Sequence, residues 1–343
     1  TDWDSLVGFG NTISILIGDG TGGFAPRQTY TTGVAPKSVR VADLNGDGYL
    51  DLVVVCQVGD VLSLLPGNGD GTFGDAQTID HGTNPIAATL NDFDGDGAID
   101  IAYVDNTLSQ LYTMINNCDT PVDPPALSVN WQSGYDHFFN IDRGQFVSVN
   151  NQGEVIVAGT TTFNENKEDF LTSKFDAQGN VVWDAIYNGD GDHYDQPGFM
   201  GLDLDENIYI AGQSWGPNLS VQWCVVKYDT DGNQLWVRRY DGGNPNAQQY
   251  PRGYAIGPNG EFAMTGWARD ASFLNVYFAV VCYDSSGDLM FDVKLPSGFV
   301  GNPSSQGEAV TFDPMGNIIA TGYGADQDDF GVEMITAKIA PDG

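Results

Sequence analysis

Residues 34–55, VAPKSVRVADLNGDGYLDLVVV, and residues 83–104, TNPIAATLNDFDGDGAIDIAYV, superpose without a gap. Pro36 falls on Pro85, Asp43 on Asp92 and Gly48 on Gly97, each 49 residues further on. Phe24 in GDGTGGF and Phe73 in GNGDGTF keep the same spacing. In each copy a polar, glycine-bearing loop runs directly into a β-branched stretch, DLVVV or DIAYV, which is strand chemistry. Self-similarity at such a period is the mark of a repeat architecture.

A second motif fills the rest of the chain. KFDAQGNVVW, KYDTDGNQLW, CYDSSGDLMF and the closing KIAPDG align through Gly179, Gly232, Gly287 and Gly343, at steps of 53, 55 and 56. GEVIVAG, ENIYIAG, GEFAMTG and GNIIATG align through Gly159, Gly212, Gly266 and Gly322, and Trp131, Trp183, Trp236 and Phe291 mark a further shared place. Turns such as DAQGN and DTDGN suit hairpins, because Gly and Asn accept positive φ. No stretch of helical period and length interrupts them. About four strands per unit of about 50 residues is the size of a β-propeller blade. The expected fold is therefore all-β: a seven-bladed propeller of four-stranded antiparallel blades, the first and last incomplete.

The expected organisation is one propeller over 1–343, with blades of the first motif over 1–117 and blades of the second over 127–343. A Pro-rich connection, 118–126, lies inside the third blade, and LSVNWQSGYD reads as that blade's last strand. Residues 3–20 align with 50–69, placing Asp4 on Asp51, so the chain is expected to be part of a longer polypeptide.

In the acidic loops, Asp43, Asn45, Asp47, Tyr49 and Asp51 occupy positions one, three, five, seven and nine. Asp92, Asp94, Asp96, Ala98 and Asp100 repeat them with four carboxylates. Alternate residues of a tight loop turn their oxygens inward, and Tyr49 and Ala98 would offer backbone carbonyls. Ca²⁺ takes six to eight hard oxygens in irregular geometry, whereas Mg²⁺ demands a near-ideal octahedron. Two calcium sites are expected, with a truncated third ending at Asp4. The loops are similar to those of EF-hands and dockerins, but there a helix and a glutamate at position twelve follow. Here Val54 or Tyr103 stands at twelve, and a strand follows.

The stretch DLNGDGYLDLVVV with GNGDGTF resembles the FG-GAP/VCBS repeat of integrin-type propellers and many secreted bacterial proteins. The units from Trp131 onward resemble the bacterial SBBP β-propeller repeat. Together the resemblances cover nearly the whole chain. They imply a propeller, calcium in the blade loops and an extracellular or cell-surface location. They imply no particular activity.

Asp and Glu number 46 against 13 Lys and Arg, a formal net charge of −33. Such a field repels nucleic acid and anionic membrane. No run of about 20 apolar residues is present to cross a bilayer, so direct membrane insertion is not expected. Cys56, Cys118, Cys224 and Cys282 have no zinc or redox spacing and read as buried free thiols or one disulfide.

His81, His137 and His193 recur 56 residues apart, each after an aspartate, in connections between blades. They read as inherited surface residues, with a transition-metal ring as the sharper alternative. No nucleophile elbow and no isolated carboxylate pair stands out. The chain is thus expected not to be an enzyme, with a polysaccharide lyase-type propeller as an alternative. The loops GTTTFNENKEDF, GQSWGPNLSVQW, GWARDASFLNVYF and GYGADQDDFGVEM vary while their flanks repeat, and variable loops on a rigid scaffold are where recognition sits. Trp215, Trp267, Arg269 and Tyr323 in them read as blade packing or as a ligand-binding set, and Asn218 opens a glycosylation sequon. The resulting functional expectation is a calcium-stabilised structural or adhesive protein-binding module within a larger assembly. A glycan-binding module using these aromatics is the alternative, and completion of an open blade by a strand of another chain is a further expectation.

Overall fold

A computed structural model describes residues 3–4, 8–80, 83–117, 127–134, 142–164, 167–191, 193–216, 219–269, 276–295, 305–325 and 332–343. These contain strands and no helix. Two short ladders come first, β1 (Trp3–Asp4) with β2 (Gly8–Phe9), and β3 (Thr12–Ile15) with β4 (Gln28–Thr31). Four-stranded sheets follow in strict chain order. The first is β5 (Pro36–Ala42), β6 (Asp51–Cys56), β7 (Val61–Leu65) and β8 (Gln77–Asp80). The second is β9 (Pro85–Asn91), β10 (Asp100–Asp105), β11 (Gln110–Asn116) and β12 (Leu127–Gly134). The third is β13 (Arg143–Val149), β14 (Val155–Asn164), β15 (Lys167–Phe175) and β16 (Val181–Tyr187).

The fourth comprises β17 (Asp195–Leu202), β18 (Ile208–Trp215), β19 (Val221–Tyr228) and β20 (Gln234–Tyr240). The fifth comprises β21 (Tyr250–Ile256), β22 (Phe262–Arg269), β23 (Val276–Tyr283) and β24 (Leu289–Leu295). A three-stranded sheet, β25 (Gln306–Phe312), β26 (Ile318–Ala325) and β27 (Val332–Ile339), ends the chain. With β1–β4 taken as one unit, the described residues form seven successive blade units, the number expected, and β25–β27 show three strands. By contact, the chain divides into two compact units, 1–159 with 172–184, and 160–171 with 185–343.

Middle strands are apolar without alternation because both their faces are covered. Every described position of β6 and β10 is buried, while β5 and β8 alternate. In the first unit Val53, Val55, Leu62 and Tyr103 form one core, and Phe93, Val104, Leu111, Val157 and Phe175 another. In the second unit Trp223, Tyr209, Phe262 and Val281 pack together. Each such side chain contributes roughly 1.5–3 kcal/mol on burial.

The recurring glycines have a packing cause. The first strand shifts register near its start in several blades, between Pro197 and Phe199 in β17, between Pro251 and Gly253 in β21 and between Gly307 and Ala309 in β25. The bulged backbone leans on the second strand's glycine. A Cβ on Gly212 would lie 2.1 Å from the Gln196 carbonyl oxygen, one on Gly266 2.3 Å from that of Tyr250, and one on Gly322 2.0 Å from that of Gln306.

The aromatic of the fourth strand meets the other repeated glycine. Trp131 Nε1 donates to the Ala177 carbonyl at 3.0 Å, and Trp236 Nε1 to that of Ser285 at 3.1 Å. Gly179 and Gly287, at φ of 80° and 84°, close those turns beneath the indoles. A Cβ would lie 2.5 Å from Trp131 and 2.8 Å from Trp236.

A third recurrence escaped the sequence reading. Lys227 and Lys338 share one register place, opposite Tyr209 and Ile319, which Cys282 takes opposite Ala263. Each lysine pairs with the acid of its blade's first turn: Lys227 with Asp203 at 3.1 Å and Lys338 with Asp313 at 2.8 Å. Lys174 pairs likewise with Glu154 at 2.5 Å. The Lys227–Asp203 pair is buried, with side chains 4% and 5% exposed. Burial raises the Asp203 pKa, but hydrogen bonds from Asn207 and Lys227 and the ammonium charge outweigh it, so the net shift is downward.

Cys56, Cys224 and Cys282 are free, buried thiols. Cys118 lies outside the described residues, as does the whole segment 118–126.

Gly212→Ala forces a side chain against a carbonyl and should cost about 1–3 kcal/mol in urea unfolding, the usual penalty of overpacking. Asp203→Asn strands a buried ammonium and should cost roughly 3–5 kcal/mol at pH 7. Because Asp203 is depressed in the folded state, its contribution is present above the ordinary carboxylate value of 3.8 and is lost as pH falls through the depressed one. The gap between wild type and Asp203→Asn in acid titration followed by circular dichroism should therefore close as the pH falls below 3.8 and through the depressed Asp203 value. A gap that persists there would exclude the ion pair as its cause.

Candidate metal loops

Both acidic loops are wound by their own carboxylates. Asp92 Oδ1 accepts from the Gly95 N–H at 2.7 Å and Oδ2 from the Gly97 N–H at 2.9 Å. Asp43 does the same with Gly46 and Gly48, both at 2.8 Å. The glycines turn at positive φ, 82° and 94° for Gly95 and Gly97, which lets the chain coil around the carboxylate. Asp94 caps the Asp96 N–H at 3.1 Å, and Asp96 the Ala98 N–H at 2.8 Å.

Position nine does a second job. Asp100 is fully buried; Oδ2 accepts from Phe93 N at 2.8 Å and Oδ1 from Asn116 N at 2.7 Å. Asp51 repeats this with Leu44 N at 2.9 Å and Gly67 N at 2.8 Å. The last loop carboxylate thus pins the loop's start to the end of the third strand. Burial is the main force raising Asp100 to about 6, opposed by those two N–H bonds and reinforced by Asp94 and Asp96. Asp51 is also raised, mainly by burial.

Oxygens of Asp92, Asp94 and Asp100 lie within 4.8 Å of one another, so the second loop gathers three hard anionic donors around one point. Among the described residues no other trio of potential ligands converges so closely. In the first loop Asn45 replaces a carboxylate, and its amide donates to Asp47 Oδ2 at 3.1 Å while its carbonyl caps the Asp47 N–H at 3.0 Å. The donor chemistry of both loops fits a hard divalent cation. Asp4 pairs with Gly8 in the β1–β2 ladder, and its side chain lies outside the described residues. Asn116 joins the two loops, donating to the Leu44 carbonyl at 2.6 Å and the Ile99 carbonyl at 3.2 Å. A groove of about 360 Å³ between the loops is lined by Asp43, Asn45, Asp96 and Ala98.

Among the other candidate residues the described ring contacts fall into two groups. Arg269 lies over Trp267 at 5.5 Å, and Trp267 leans on Tyr250 at 5.2 Å. Trp215 packs instead with His193 and Tyr194, at 6.3 Å and 6.0 Å. Among the described residues no ring contact joins these groups to each other or to Tyr323. His81, His137 and Asn218 lie outside the described residues.

Sequence reasoning also missed the buried polar residue at the start of each first strand in the blades of the second motif, Asp142, Asp195, Gln249 and Ser305, all 0% exposed. Asp195 holds the Gly189 N–H at 2.5 Å and the Trp215 N–H at 3.2 Å. Gln249 donates to the carbonyls of Asp241 and Asn244. Asp195 and Gln249 thus tie down the connections that precede their blades. The residue type changes at every copy, so no motif exposed it.

With this geometry in place, the comparisons are specific about one region. Residues 2–54 and 46–103 match the family model of the FG-GAP-like repeat. The N-terminal region is built of FG-GAP-like repeats. No curated protein matches the chain. Among solved structures, it is similar to a putative 6-phosphogluconolactonase from Bacteroides fragilis, at 15% identity and a TM-score of 0.55 over 84% of this chain and 79% of that one. A putative 6-phosphogluconolactonase from Bacteroides uniformis follows, at 16% and 0.54 over 83% and 78%. A protein from Lactobacillus plantarum matches at 11% and 0.51 over 92% and 89%. At these identities the likeness is one of fold, and the fold is an all-β propeller whose N-terminal region matches the FG-GAP-like repeat.

One expectation is corrected here. The chain was expected not to be an enzyme, on the absence of a legible catalytic motif. Structures that share its fold bear enzyme names, so a missing motif does not argue against activity on this scaffold. Spacing along the chain cannot reveal residues that a propeller gathers from separate blades.

Asp100→Ala should orphan the Phe93 and Asn116 N–H groups, at about 1–3 kcal/mol each. Asp96→Ala, at an exposed position, should cost far less. Urea midpoints in calcium-free buffer test this, and equal losses would remove the pinning role.

Proposed function

We propose that this protein is an extracellular or cell-surface propeller stabilised by calcium in its acidic loops, serving as a structural or adhesive protein-binding module in a larger assembly. The observation that carries the reading is the convergence of Asp92, Asp94 and Asp100 within 4.8 Å. Side-chain ligands would come from Asp43, Asn45, Asp47 and Asp51 in one loop and from Asp92, Asp94, Asp96 and Asp100 in the other. Tyr49 and Ala98 would add carbonyls. Bound Ca²⁺ would offset the mutual repulsion of these carboxylates and hold each loop to the strand behind it. Extracellular modules of this kind bind calcium weakly, with Kd on the order of 10⁻⁴–10⁻³ M, which suits a calcium-rich exterior. The net charge of −33 supports the same setting, since it favours cation uptake and solubility.

Arg269 over Trp267, whose ring leans on Tyr250, favours a second reading, a glycan-binding face, because a cation–aromatic stack suits an acidic sugar.

Calcium at 100 times its Kd should stabilise the protein by about 2.7 kcal/mol per site, read as a rise in Tm that chelator reverses. Asp92→Asn with Asp94→Asn should abolish the second site's share. Identical melting with calcium and with chelator would refute the metal reading.

A further inference from the structure

Three successive blades carry a bulge at one register place. Pairing skips Gly198 in β17, Arg252 in β21 and Glu308 in β25, each just after the residue that faces a repeated glycine, Gly212, Gly266 or Gly322. All three skipped residues are exposed. A bulge releases one residue from the ladder and re-aims its side chain. The backbone contact with the glycine fixes the place, yet its occupant changes from no side chain to a cation to an anion. Packing therefore accounts for the bulge and leaves the choice of side chain to another task.

The three first strands lie side by side. A Cβ on Gly198 would stand 2.6 Å from the Tyr254 hydroxyl, and one on Gly253 2.7 Å from the Ala309 Cα. Arg252 and Glu308 immediately precede Gly253 and Ala309, so a guanidinium and a carboxylate occupy neighbouring places. They do not form an ion pair. Gln306 Nε2 donates to Glu308 Oε1 at 2.5 Å, and Arg252 makes no hydrogen bond or ion pair among the described residues. An exposed arginine without a partner stands out in a chain with 13 Lys and Arg against 46 Asp and Glu. Burial raises the Tyr254 phenol, and the Arg252 charge opposes the rise, so the guanidinium acts on the ground beside Gly198. Tyr250, two residues before Arg252, adds a half-buried ring backed by Trp267 at 5.2 Å.

We propose that Arg252, Gln306, Glu308 and Tyr250 form a binding site for a uronic acid, a sugar that carries one carboxylate. The planar guanidinium matches a carboxylate in a two-pronged contact. Gln306 and Glu308 offer hydrogen-bonding groups to the neighbouring hydroxyls, and Tyr250 offers a ring to the apolar face of the sugar. Glu308 limits the charge that the site accepts, since it repels a phosphate dianion more strongly than a single carboxylate. The net charge of −33 repels any anion at long range, but physiological salt screens that field within about 8 Å and leaves the decision to the contacting groups. This inference rests on the glycan reading above and moves its centre from Arg269 to Arg252.

The full chain, with saturating calcium and physiological salt, is titrated by calorimetry with glucuronic acid, a glucuronic acid oligomer, glucose and glucose 6-phosphate. Glucuronic acid should bind, and glucose and the phosphate should bind about tenfold or more weakly. Arg252→Gln should weaken glucuronic acid binding about 10–100-fold, the loss of a charge-assisted contact, with an unchanged melting curve. Arg252→Lys should recover only part of it, because lysine lacks the planar fork. Glu308→Gln should narrow the gap between glucuronic acid and the phosphate. Tighter binding of the oligomer would identify a polysaccharide as the source, and equal affinity a free sugar acid; both uphold the proposal. Absence of glucuronic acid binding, equal binding of glucose, or undiminished binding by Arg252→Gln would each overturn it. Arg269→Gln separates the two readings. Loss of binding there, with none in Arg252→Gln, would remove this site and keep the glycan-binding face.

Discussion

The contact on which the second repeat depends is an aromatic ring resting on a glycine. An isolated four-stranded sheet has two faces and only one can be satisfied by its own side chains, so a blade is stable only against a neighbour. Trp131 over Gly179 and Trp236 over Gly287 supply that coupling twice, each adding an indole hydrogen bond to the turn. The ring needs a turn without a Cβ, and the turn needs positive φ. One residue type answers both demands, which is why the aromatic and the glycine recur together.

Acidic-loop blades couple by other means. There the buried carboxylates Asp51 and Asp100 hold loop to strand, and Asn116 carries the link across to the Leu44 carbonyl of the preceding blade. The sheet β9-β12 combines both solutions. Its loop is acidic, its last strand carries Trp131, and the change from one repeat type to the other takes place within it. The two chemistries differ in their exposure to conditions. Stacked rings are indifferent to pH and ions, whereas burial pushes Asp100 up to about 6, so a metal-free acidic loop holds its charge at a cost that a cation would offset.

Much of this was legible before any coordinates. Two periods near 50 residues, strand-like segments and Gly, Asn and Asp turns specified blades and their number. The positions of Gly179, Gly212 and Trp236 were legible as recurrences, although their contacts were not. The loop residues Asp92, Asp94 and Asp100 were named by spacing alone, because a tight loop with alternate carboxylates has few ways to fold. Trp215, Trp267 and Tyr323 were grouped by loop membership. Each belongs to a different blade, and Trp215 and Trp267 pack with rings of their own neighbourhood.

The sequence by itself determined the local units, since turn chemistry and strand propensity act within a few residues and repetition multiplies the evidence. Tertiary structure alone decided the partners. The carbonyls that lean on Gly212 and Gly266, the buried Lys227–Asp203 pair and the two N–H groups held by Asp100 join residues whose pairing depends on register. Register is a property of neighbouring strands in space, and a one-residue slip would exchange every such contact for another without altering the repeat.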